Sequence, residues 1–362
     1  MTPELFRSLL KGRLAAIPKR SRGRIKAPKG TAAFPKTVER AYAKAMSRLF
    51  KAYTAPLMER IKPILENDLR RDSVQMDFLF DDLEKWDTDI YYNYQDPTPP
   101  FGKAGAVGVE ATVASYGWDA SLFNEKQWRK LVEMALPDAF PLDEPWVASA
   151  LEDWTKLNAA LVDKAATQFY ATAETTVRSA VQTGRRAEEV MHDLKKLDDS
   201  LTDSRARLIA RDQIGTLNGL LTQKRNESAG IGMYTWATAM DERVRGRPGG
   251  KWEYSRDTHW IMEGKLCRWD NPAVYSDDGG KTWLPRSGLK ALVTYHAKTT
   301  TGSNGKPGKA SLGPRQKRAP TMVATAPDGP PGVAGRQCRC GSRPYLDAYI
   351  AELAAELAEA GL

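Results

Sequence analysis

Cysteine and histidine are both scarce, with three of each in 362 residues. An odd number of thiols in a chain this long argues against a disulfide framework and fits a reducing compartment such as a bacterial cytoplasm. His192, His259 and His296 are the only imidazoles, so candidates for proton transfer near neutral pH are few. Long apolar runs are missing too. No window reaches the ~18 uninterrupted apolar residues of a membrane span. The charged N-terminus has no apolar stretch of the kind a signal peptide needs. Gly280-Lys281-Thr282 has Tyr275 where a phosphate loop requires its first glycine, and Gly102, Gly105 and Gly108 lack the start of a dinucleotide fingerprint.

Acid is scarce at the front of the chain. Residues 1–50 carry thirteen Lys and Arg against Glu4 and Glu39, whereas the whole chain nets +9. Essentially all the positive excess therefore sits at the front. Within it Lys19, Arg20, Arg22, Arg24, Lys26 and Lys29 stand among Pro and Gly with few large apolar residues. Such a segment cannot bury enough surface to offset its ordering entropy. Residues 1–36 read as a basic flexible arm. It would neutralise nucleic-acid phosphates, dock on an acidic partner, or remain a solvated terminus. A second basic stretch, 299–319, holds Lys306, Lys309, Arg315, Lys317 and Arg318 with no acid. It reads as a mobile loop, open to DNA contact or plain solvation.

Between these stretches apolar residues recur every three to four positions, the helical period. Val38, Tyr42, Ala45, Leu49 and Tyr53 begin a helix, with Pro56 and Pro63 as expected breaks or kinks. Residues 37–140 form a helical region containing a Pro/Gly linker near 96–105. Residues 141–229 form a second, with a long helix over Trp146–Thr183, a short one over Ala187–Leu197, and a third capped at Thr202 or Asp203. His192, among Glu188, Glu189 and Asp193, reads as part of a solvated face or as a weak metal candidate. Met233–Met240 alternates as a strand, with Tyr234 and Trp236 on one face. Residues 230–343 thus read as a small α+β module, and 344–362 as an amphipathic helix with a seam of Leu346, Ile350, Leu353 and Leu357. Its acidic face is a conceivable dock for the basic arm of a neighbouring copy.

Three local patterns carry chemistry. Ser276, Asp278, Gly280 and Trp283 have the spacing of an Asp-box hairpin, in which a carboxylate bonds turn amides and Trp packs over the turn. Cys338 and Cys340, two apart in an extended chain, point the same way. With His259 and Cys267 they would supply four donors for zinc, or else the thiols are simply buried. Asp241-Glu242-Arg243-Val244-Arg245 places a carboxylate beside guanidinium groups, as a structural corner or as a contact to phosphate.

The order of residues over the last 160 or so positions resembles the head-morphogenesis family of tailed bacteriophages typified by protein F of phage Mu. The matching residues are Gly230, Gly232, Trp236, Asp241, Arg243, Val244, Arg245, His259, Gly264, Pro330, Pro331, Cys338, Arg339 and Cys340. The resemblance implies a non-enzymatic minor head protein in the virion. It would meet the portal protein or major capsid protein in the capsid interior, in multiple copies, after assembly in the host cytoplasm. DNA would be touched through the basic arm, and no membrane would be involved. The fold class expected is α+β: a mainly helical N-terminal two-thirds, then a small α+β module with β-hairpins and a C-terminal helix. The rival reading is a metal-stabilised nucleic-acid-binding module or nuclease, which would need His259 or His296 as its base beside Arg243 or Arg245.

Overall fold

The structure is a computed structural model and describes residues 3–18, 34–68, 103–133, 144–183, 185–239, 242, 244–250, 259–294, 321–325 and 340–361. Outside them lie the arm cations from Lys19 to Lys29, the loop cations from Lys306 to Arg318, and Asp241, Arg243, Pro330, Pro331, Cys338 and Arg339. His296 lies outside them too. Helices α1 (Pro3–Ala16), α2 (Lys36–Asp68), α3 (Lys103–Glu133), α4 (Trp146–Thr183), α5 (Ala187–Asp199) and α6 (Ala206–Ser228) come first. Among the described residues, seven short strands then lead to α7 (Asp347–Glu359). They are β1 (Met233–Ala237), β2 (Leu266–Arg268), β3 (Val274–Ser276), β4 (Leu284–Pro285), β5 (Lys290–Thr294), β6 (Thr321–Thr325) and β7 (Gly341–Pro344). The expected class, helices followed by a small antiparallel sheet and a last helix, is the one observed. Among the described residues no helix is long and apolar enough to cross a membrane.

The chain divides into two units. One unit takes residues 35–123 and 144–217; the other takes 1–34, 124–143 and 218–362. The first is all helix. Tyr42 on α2 lies at its centre, fully buried, with rings of Tyr116 and Trp154 at 5.3 and 5.8 Å and its hydroxyl 3.1 Å from Asn158 Oδ1. Gly117 permits this packing, because a Cβ there would stand 3.0 Å from the Trp154 ring. Of the expected breaks or kinks at Pro56 and Pro63, neither proline interrupts α2. Buried Phe50 and Thr54 before Pro56 and Leu57 and Ile61 after it keep one face packed, which offsets the backbone hydrogen bond that each proline removes.

The expected helix start at Thr202 or Asp203 is not there. Helix α5 continues through a π-helical stretch, Ser200–Arg205, directly into α6. Thr202 does not cap. Its side chain is buried and its hydroxyl donates back to the Asp198 carbonyl at 2.9 Å. A π-helical turn admits extra chain without ending the helix, so Leu194 before it and Ala210, Ile214 and Leu217 after it all remain buried.

The second unit holds both chain ends. Residues 3–16, expected to be part of a flexible arm, form α1 instead. Leu10 and Leu14 of α1 share one apolar core with Trp128, Val132, Ile231, Ile350, Leu353 and Leu357. Arg7 pairs with Glu352 and Glu356, and Lys11 lies 3.3 Å from Glu356. The acidic side of α7 is therefore met by the chain's own first helix. Helix α7 starts at Asp347 because Gly341–Pro344 are used as β7. Within the same unit Asn124 donates to the Asn218 and Thr222 side chains at 2.9 and 2.7 Å and accepts from the buried Arg225. Trp128 donates to Asn226 Oδ1 at 2.8 Å. Buried polar groups cost free energy unless bonded, so this network fixes how the end of α3 meets the end of α6.

The main sheet is antiparallel, in the order β4-β3-β2-β1-β7, with β1 central to the longest pairings. Tyr234 stands opposite Cys267 and Pro344, Trp236 opposite Ser342, and Cys267 opposite Tyr275. Directly opposed residues share a face. Tyr234, Trp236, Cys267 and Tyr275 therefore form one buried side, as the alternation at Tyr234 and Trp236 predicts. Strands β5 and β6 make a separate antiparallel pair, with Leu292 opposite Val323.

Candidate functional site

The family-like residues that fall within the described chain converge on Trp236. Its central strand and the alternation of β1 turn its ring into the sheet's buried face, where it is wholly inaccessible. The His259 ring meets it edge-on, at 5.8 Å between centroids and 87° between planes. His259 is held by its own backbone, since the amides of His259 and Trp260 both donate to the Arg245 carbonyl at 3.0 Å. Arg245 thus serves as a corner through its main chain, while neighbouring Val244 is buried. Gly264, at φ 76°, sits in the turn that follows, and its amide donates to the Trp236 carbonyl at 3.0 Å. A side chain would be strained in that left-handed conformation.

Cys340 completes this side. Its sulfur lies 3.7 Å from His259 Nδ1, and both residues are buried, His259 with 1% of its surface exposed. Cys267 belongs elsewhere on the same face. It is opposite Tyr234, whereas Cys340 precedes the pair Ala237–Gly341 on the other neighbour of β1. Two strand spacings and about four residues separate them, on the order of 15 Å, and zinc–thiolate bonds of about 2.3 Å cannot bridge that. Of the expected set, Cys267 therefore does not come together with His259 and Cys340 as one site. Cys338 lies outside the described residues, among which no group of three or more His, Cys, Asp or Glu side chains could hold a metal.

Sequence reading missed Arg286. It follows β4, is almost fully buried, and reaches across the sheet to Tyr234, whose hydroxyl it meets at 2.9 Å. Its guanidinium lies 5.3 Å from the centre of the Trp236 ring. It also stands against Cys267. Burial pushes that thiol up, and Arg286 and Tyr234 pull the other way without prevailing. Tyr234 is likewise pushed up by burial, so both groups stay protonated near neutral pH. A cation–π attraction is stronger when desolvated, so the Trp236 ring and the Tyr234 hydroxyl offset part of the cost of burying this charge. Its only sequence trace is its place after a short apolar strand.

The Asp-box forms as its spacing predicts, linking β3 to β4. Ser276 Oγ donates to Asp278 Oδ1 at 2.7 Å and accepts from the Gly280 amide at 2.9 Å. The Asp278 carboxylate also accepts from the Thr282 amide at 3.0 Å and hydroxyl at 2.6 Å. Led by the Thr282 hydroxyl, these bonds hold Asp278 well below the usual carboxylate range. Gly280 has φ 92°, and Trp283 packs beneath Arg268, 5.5 Å away. His192 is exposed, and the acid beside it, Asp193, is bound to Arg185 at 2.8 Å.

These elements coincide with a known family. Residues 171–287, from the second half of α4 to just past Arg286, match the family model described as Phage Mu protein F like protein. A stretch of 142 residues is 29% identical to an uncharacterized protein of Haemophilus influenzae. It covers 39% of this chain and only 29% of that relative's length. No solved structure matches the chain. The family match ends before Pro330, Pro331 and Cys338–Cys340, so it rests on the helices and the first four strands. The similarity to the Mu protein F-like family of phage head morphogenesis proteins thus rests on residues 171–287 of this chain.

Proposed function

We propose that the chain is a minor structural protein of the phage head, carried inside the capsid at the portal vertex in several copies. It aids head assembly and DNA packaging through binding, without catalysing a reaction. The carrying observation is that the family-matched region spends its signature side chains on its own core. Trp236 and His259 are buried and Gly264 makes a turn. A proton-transfer group must reach the atom it serves, and an imidazole with 1% exposure is poorly suited to a duplex backbone. A rigid sheet stapled to helices suits a part that works by fitting against larger ones. The portal protein and the shell are the partners of this reading. The arm cations Lys19, Arg20, Arg22, Arg24, Lys26 and Lys29 add charge neutralisation of packaged DNA.

Cross-linking of intact heads followed by peptide mass spectrometry tests the placement. Cross-links from this chain to the portal protein are expected. Links confined to the outer shell surface, or to tail proteins, would overturn the portal-vertex assignment.

A further inference from the structure

The front-loaded positive charge does not all lie in the arm. Lys36, Arg40, Lys44, Arg48 and Lys51 sit on α2, and all five are exposed. Their spacing of four, four, four and three residues puts them along one side of the helix, since residues three and four apart are neighbours on its surface. The opposite side, with Tyr42, Met46 and Phe50, is core. The only acid between Lys36 and Met58 is Glu39, which is turned inward, buried, and 3.4 Å from Arg211. The outward face therefore carries five cations and no anion over about 22 Å of helix. Ala41, Ala43, Ser47 and Ala52 flank the stripe and leave the charged groups standing clear.

We infer that this stripe is an ordered contact surface for the phosphates of double-stranded DNA, read without regard to sequence. Its chemistry selects that partner over an acidic protein. Stable protein interfaces are centred on apolar or aromatic anchors, and this face has none. Phosphate contact requires only spaced cations, which release counterions from the duplex. Helical order adds what a flexible arm lacks: the charges are held in register before binding, so little entropy is lost on contact. The proposal extends the head-protein reading but is tested without particles, so either can fail alone.

The test uses the purified full chain and a 30-base-pair duplex of arbitrary sequence, with affinity measured by fluorescence anisotropy across salt. Five phosphate contacts contribute about 4.5 to the slope of log affinity against log salt. Replacing Lys36, Arg40, Lys44, Arg48 and Lys51 by Gln is expected to remove about that much. A matched control replaces Lys126, Lys130, Lys164, Lys224 and Lys281, also exposed, and is expected to change the slope by less than about one. An unchanged slope in the stripe variant overturns the proposal, and so does an equal loss in the control. Loss of binding to polyglutamate with DNA binding intact also overturns it, in favour of an acidic protein. Should the five-site variant lose its helical circular dichroism, each single substitution still reads out as a slope reduced by about one.

Discussion

At the scale of residues, Trp236 is the centre around which the described residues His259, Arg286 and Cys340 pack. Truncating it to Ala removes a fully buried indole together with its contacts to His259 and Arg286, at an expected cost of about 3–5 kcal/mol. Denaturant unfolding measures this; a loss under about 1 kcal/mol would mean the site can collapse without it. His259→Ala is expected to lower stability while changing no phosphodiester cleavage by the purified protein, and cleavage that depends on His259 would restore the nuclease reading. Zinc in purified protein is expected below about one-tenth equivalent, whereas a full equivalent would require Cys338 beside His259 and Cys340. Asp278 gives a pH signature. Its carboxylate is held low when folded, so it binds fewer protons than in the unfolded chain. Its contribution is present above the ordinary carboxylate range and is lost as pH falls through that range and below it. Amide exchange at Gly280 and Thr282 is expected to lose protection first in acid; protection that persists there until global acid unfolding would contradict the assignment.

At the scale of elements, what was legible followed local periodicity. The bounds of α4, the alternation of Tyr234 and Trp236, the seam of α7 and the Asp-box all follow from spacings of two, three or four residues. Three features did not, each for a physical reason. The π stretch at Ser200–Arg205 preserves burial on both sides, so it leaves no gap in the apolar pattern where a cap would be sought. Helix α1 is short and basic, and the residues it packs against, on α7, on the end of α3 and at Ile231, are all distant in sequence. Arg286 is a charged residue in a core, where composition argues for the surface. The partnership of α1 and α7 is testable. Deleting residues 1–16 uncovers Ile350, Leu353 and Leu357, and burying such side chains is worth about 1.5–3 kcal/mol each. A lowered melting temperature and binding of a hydrophobic dye are expected. A truncated protein as stable as the full chain would show that α1 adds nothing to that core.

At the scale of the molecule, charge is distributed between a basic segment at 19–29 and the ordered cationic side of α2, while the sheet unit turns its signature inward. The sequence displays the first through composition. It hides the second because the same stretch, Lys36 to Lys51, alternates between core and cation, and either pattern alone looks ordinary. Both dispositions suit a component that links protein to packaged DNA. The most direct measurement is quantitative mass spectrometry of purified DNA-filled heads. The chain is expected there in a fixed number of copies per head, protected from added protease. Its absence from filled heads, with the protein free in the lysate, would contradict the account.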